Sequence, residues 1–140
     1  MTLMASAALS LLKWHEMIAQ VDLSDLEKVI AKEAVFRSPV ANKPYPGQAI
    51  VCVVLRGAMK VFEDFAYHRS FVCGDRDICL EFSARIGEKE LKGVDLIKFD
   101  ANGKIAEFEV MVRPGTGLLA LEEKMQSTVG PRIKELLEGA

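Results

Sequence analysis

Apolar residues recur at helical spacing near the start of the chain, at Leu11, Trp14, Ile18 and Val21, and predict a first helix with one buried stripe. Ser24-Asp25-Leu26-Glu27 has the form of a capping box, in which the serine accepts from an early backbone N–H and the glutamate reaches back. Leu26, Val29, Ile30 and Glu33 follow at helical spacing, so a second helix is predicted over 25–33. Val35 to Ser38 reads as short and extended, because Pro39 biases Ser38 away from helix. Two prolines and a glycine make Asn42 to Gly47 a loop. From Gln48 to Phe62 the pattern supports two readings. The β-branched run Ile50-Val51-Cys52-Val53-Val54 suits a buried strand, whereas Ile50, Val54 and Val61 fit one helical face.

Period-two alternation then takes over. Phe65 to Cys73 is a strand ending at Gly74-Asp75. Ile78 to Ile86 alternates Leu80, Phe82 and Ala84 against Glu81, Ser83 and Arg85. Leu91 to Phe99 runs into Asp100-Ala101-Asn102-Gly103, a hairpin signal. Ile105 to Val112 sets Phe108, Val110 and Val112 opposite Glu107, Glu109 and Met111. Pro114-Gly115 ends the sheet. Two short helices follow, one starting near Gly117 and one with Pro131 in its first turn and Ile133, Leu136 and Leu137 on its apolar side. Helices, a short strand and then an antiparallel meander predict an α+β fold, with the N-terminal helices on the concave face of a curved, mostly antiparallel sheet. Such a cone has a mouth, and mouths favour pockets.

Composition narrows the chemistry. The 140 residues suit one domain, 1–140, with the short C-terminal helices from about 117. Half are apolar and the net charge is −2, with basic residues scattered, so a nucleic-acid partner is not expected. No apolar stretch is long enough to span a bilayer, so no membrane partner is expected either. The apolar start, Leu3 to Leu12, has no basic residue before it and reads as helix rather than signal peptide. Three cysteines, Cys52, Cys73 and Cys79, form no C-x-x-C and read as small buried hydrophobes in a reducing cytoplasm. With two histidines, His15 and His68, neither a metal nor a cofactor is expected.

Ala34-Val35-Phe36-Arg37-Ser38-Pro39-Val40, with Gly47 opening the next element, resembles the nuclear-transport-factor-2-like superfamily. So does Gly93-Val94-Asp95-Leu96-Ile97-Lys98-Phe99 followed by Asn102-Gly103-Lys104-Ile105. The nearest branches are the SnoaL-like proteins and the ketosteroid isomerases, and the resemblance spans about Leu9 to Met125. It implies a helix after Gly47 and a homodimer through the outer sheet face. It also implies a three-group isomerase site, in which an aspartate base works with a tyrosine and a protonated aspartic acid that donate to a developing oxyanion. The base position matches Ser38, too weak a base without a partner. The tyrosine position matches Trp14, which can only donate. The acid position matches Asp95, the candidate catalytic residue.

The same frame lines a pocket with Trp14, Ile18, Phe36, Ser38, Val54, Leu80, Phe82, Ala84, Phe108, Val110 and Val112. Such a lining suits a hydrophobic small molecule. Two functions follow: a SnoaL-like module binding that molecule, or an isomerase- or cyclase-type enzyme on a polycyclic carbonyl compound that uses Asp95 as oxyanion donor or acid. Glu107 and Glu109 point away from the pocket unless the register slips by one. Arg113 suits a salt bridge near the mouth. One of Tyr67 and His68 faces inward, and alternation does not say which.

Overall fold

The computed structural model describes residues 2–139. Helix α1 (Ala5–Gln20) is followed by a single 3-10 turn (Leu26–Lys28), strands β1 (Ile30–Arg37) and β2 (Tyr45–Pro46), and helix α2 (Gln48–Val61). Then come β3 (Glu63–Cys73), β4 (Asp77–Ile86), β5 (Lys89–Phe99), β6 (Ile105–Arg113), α3 (Gly115–Thr128) and α4 (Gly130–Glu138). The strands form one curved, open sheet in the order β2-β1-β6-β5-β4-β3, antiparallel throughout except where β1 runs parallel to β6. This is the α+β architecture that the pattern predicts, with α1 and α2 against the inner face of the sheet. Among the described residues no helix is long and apolar enough to cross a membrane.

The predicted helix over 25–33 does not form. The carbonyls it would use belong to side chains of α2. Arg56 donates to Leu23 O and Ser24 O and grips Glu27 at 2.6 and 2.7 Å, while Gln48 donates to Glu27 O and Ile30 O. Ser24 caps nothing, and its own N–H bonds to Asp22 Oδ1. Ile30 is thereby free to open a strand, pairing in parallel with Ile105. The ambiguous segment is helical from Gln48 despite its β-branched run. Ile50, Val51, Cys52, Val54 and Leu55 are all buried, because α2 packs against β1 on one side and against α3 and α4 on others. Tertiary burial outweighs a propensity difference worth less than about 1 kcal/mol per residue.

Helix α1 is turned slightly from the predicted stripe. Ala7, Ser10, Trp14 and Met17 are its buried residues. Val21 closes the helix in the left-handed region and is 69% exposed. The C-terminal helices cover the open side of the cone, α3 against β4, β5, β6 and α2, and α4 against α2 and α3. Ile133 and Leu136 pack on the core, whereas Leu137 is exposed.

Candidate functional site

Between α1, α2, the inner sheet face and the C-terminal helices lies a cavity with about 900 Å³ of empty space, counting its open mouth. Its wall is largely aromatic. Trp14 meets the Phe108 ring edge-on at 5.4 Å, Phe36 stacks on both Phe108 and Tyr45, and Phe65 meets Tyr67 edge-on at 4.9 Å. Val54, Leu55, Ala58 and Met59 come from α2, and Leu118, Leu121 and Met125 from α3.

The polar centre is a chain of three side chains from three elements. Trp14 Nε1–H of α1 donates to the Tyr67 hydroxyl of β3 at 2.9 Å. Tyr67 donates in turn to Asp95 Oδ2 of β5 at 2.6 Å, a short hydrogen bond. Asp95 is only 5% exposed. Its Oδ1 takes no protein hydrogen bond, and among the described residues no sealed side-chain oxygen is left without a partner, so Oδ1 opens onto the cavity it lines. Burial raises the Asp95 pKa to about 7 against the opposing pull of the Tyr67 hydrogen bond. Burial, then the neighbouring Asp95, pushes the Tyr67 phenol well above its ordinary range, so Tyr67 stays a donor. With Asp95 neutral, each donor in the row polarises the next, and the last O–H points at whatever fills the cavity.

Of the residues expected in the pocket, Trp14, Phe36, Ser38, Val54, Phe108 and Val110 line it together with Asp95. Five do not. Ile18 sits one residue past the buried stripe of α1 and packs at the core margin. Leu80, directly across from Asp95, is sealed in the core. Phe82 faces inward but sinks beneath the surface, because its cross-strand partner Gly93 has no side chain where the ring lies and Phe62 and Phe65 cover it. Ala84 and Val112 lie in the cluster that Leu121 of α3 roofs over. Ser38 spends its hydroxyl as an acceptor for the Val40 N–H at 3.1 Å, a turn-type contact.

Tyr67, not His68, faces inward. β3 carries an extra residue between Tyr67 and Ser70, so His68 and Arg69 both turn to the outer face, toward Ser83 and Glu81. Glu107 lies outward as expected, paired with Arg37. Sequence reasoning missed Phe62, Phe65 and Tyr45 and the contribution of α3 and α4, including Glu122, Gln126 and Ile133. For Phe65 a signal was present, its i, i+2 spacing from Tyr67, which puts the two on one face of a strand. Among the described residues no three histidines, cysteines or carboxylates cluster to hold a metal.

No protein-family model and no curated protein matches the sequence. Solved structures do. Over 97% of its length and 97% of the other's, the chain is 52% identical to a steroid delta-isomerase from Pseudomonas aeruginosa, with a TM-score of 0.88. It is 32% identical to an uncharacterized protein with a cystatin-like fold from Silicibacter pomeroyi, over 91% of this chain and 89% of that one, with a TM-score of 0.82. An NTF2-like protein of unknown function from Mesorhizobium loti shares the fold, at 18% identity and a TM-score of 0.68 over 81% of this chain and 100% of its own. The chain belongs to the nuclear-transport-factor-2-like superfamily, in its SnoaL-like and ketosteroid-isomerase branch. The site has one feature that the sequence resemblance did not supply: the tyrosine beside the acid comes from β3, and Trp14 stands behind it.

Proposed function

We propose that this superfamily member binds a hydrophobic small molecule in the cavity, with a carbonyl or phenolic oxygen set against Asp95, and that it works as a cytoplasmic homodimer. The observation that carries the reading is the Trp14–Tyr67–Asp95 chain, ending in an open carboxyl oxygen inside an apolar wall. A buried acid held neutral donates a strong hydrogen bond to a ligand oxygen, and the aromatic wall supplies apolar contact around it.

A second reading, turnover of a polycyclic carbonyl compound, is favoured by the 52% identity to the steroid delta-isomerase. Asp95 would then stabilise a developing enolate oxygen. The serine at position 38 weighs against the usual proton transfer, since its hydroxyl has no carboxylate or imidazole partner within hydrogen-bond reach.

The test is titration with a phenolic steroid such as equilenin, read by fluorescence of Trp14, the single tryptophan. We expect saturable quenching, weakened about tenfold or more by Asp95→Asn, in line with losing a charge-assisted or strong donor contact. Full-affinity binding by that variant would remove Asp95 from the reading. Incubation with a 5-ene-3-ketosteroid, followed by absorbance of the conjugated product, separates binding alone from turnover.

A further inference from the structure

The cavity is one-sided in charge. Its lining holds two carboxyl groups, Asp95 and Glu122, and not one lysine, arginine or histidine. Glu122 stands on α3 between Leu118 and Met125 on the cavity side of that helix, half-buried. The carboxylates of the sheet and of the turn before it that are held in place have cations beside them: Glu81 has Arg69 and Lys92, Glu27 has Arg56, and Glu107 has Arg37. The Glu122 carboxylate has no hydrogen bond or ion pair among the described residues. The other carboxyl group of the cavity, at Asp95, has an oxygen, Oδ1, that is likewise unpartnered, and its residue is 95% removed from solvent. Asp95 and Glu122 come from different layers, the sheet and the C-terminal helix pair, so a ligand that fills the cavity meets both.

Resting on the reading that a ligand oxygen sits at Asp95, we propose that Glu122 is a second recognition point. It receives a hydroxyl or ammonium group at the other end of the hydrophobic ligand, and the cavity rejects ligands whose other end is anionic. An anion there would meet a carboxylate with no compensating cation in a low-dielectric wall, whereas a donor would satisfy an oxygen that is otherwise left to water. The seven lining aromatic side chains add to this sign preference, since their faces attract cations and repel anions.

Three probes on one 3-oxo steroid skeleton test the inference: a 17β-hydroxyl, a 17β-amine and a 17β-carboxylate, titrated against the full chain at pH 6. The amine and hydroxyl probes are expected to bind about tenfold or more tightly than the carboxylate, the range of an ion-pair contact at a half-exposed site together with its like-charge converse. Glu122→Gln should bring the three within about threefold of one another. Glu122→Lys should reverse the order, a result that a merely loosened fold does not produce. Equal affinity of the carboxylate and hydroxyl probes for the unaltered protein overturns the inference, as does an order untouched by both variants. Those outcomes leave the Asp95 reading standing. If none of the three probes binds, the pocket reading for such ligands fails, and the role of Glu122 fails with it.

Discussion

At the scale of single residues, Asp95 connects function to stability. The folded protein holds its proton up to about pH 7, whereas the ordinary value is 3.8. Between those values the unfolded chain binds fewer protons than the native one, so stability falls as pH rises through this window and the loss is complete above it. For this buried group the fall amounts to about 3 kcal/mol between pH 4.5 and 8. Asp95→Asn cannot ionise, so urea unfolding should show the variant gaining about that much on the unaltered protein over the same interval. Other groups cancel in the comparison: His15, lowered by burial, and Glu27 and Glu81, held to about 2 by their hydrogen bonds from Arg56 and Arg69. Parallel pH profiles for the two proteins would mean that Asp95 ionises freely in the fold. Asp95, Trp14 and Phe36 were legible as site residues because each lies on an unbroken pattern or a family motif. Tyr67 was not, because the extra residue after it in β3 suspends the alternation that assigns faces. Phe82 shows the converse: its inward direction was legible, and its depth was not, since that depends on the missing side chain of Gly93 one strand away.

At the scale of elements, local pattern succeeded where contacts are local and failed where distant side chains decide. The β4–β5–β6 meander follows from alternation and turn residues alone. The failed helix over 25–33 depends on Arg56 and Gln48, which sit on another element and take its carbonyls. The placement of α3 and α4 over the cavity includes a close approach to α2. A Cβ added at Gly57 of α2 would lie 2.6 Å from Cγ1 of Val129, the residue that joins the two C-terminal helices. Alanine at 57 should gain about 1 kcal/mol in helix propensity. It should lose more to overpacking, which costs about 1–3 kcal/mol where the neighbour is a stiff β-branched side chain. We therefore expect Gly57→Ala to be less stable than the unaltered chain and to speed amide exchange in α3 and α4. Pairing it with Val129→Ala should recover about 1 kcal/mol or more relative to the sum of the single changes. A strictly additive cycle would show that this contact does not hold the cover in place.

At the scale of the whole molecule, the two faces of the sheet divide the work. The inner face carries Asp95 and the cavity. The outer face carries Met111, 50% exposed, and Phe71, 52% exposed, the latter with the Arg69 guanidinium over its ring. Glu81 lies on the same face, nearly buried between Arg69 and Lys92 even in one copy of the chain. Fixed ion pairs beside exposed apolar side chains suit a self-complementary, two-fold interface, in which each patch meets its own copy. The proposed homodimer through this face predicts a light-scattering mass of twice the 15.5 kDa chain at micromolar concentration. Met111→Glu would put an unpaired charge into the apolar patch of each copy, and it should yield monomers. Because the cavity opens on the opposite side of the sheet, those monomers should still quench Trp14 fluorescence with an equilenin-type probe at near-unaltered affinity. A monomeric unaltered protein would overturn the dimer outright. A variant that stays dimeric would move the interface to another exposed apolar site, Leu9 and Leu12 of α1 or Leu119 of α3. Loss of probe binding on dissociation, with the fold intact by circular dichroism, would show instead that the second copy braces the sheet from which Tyr67 and Asp95 project.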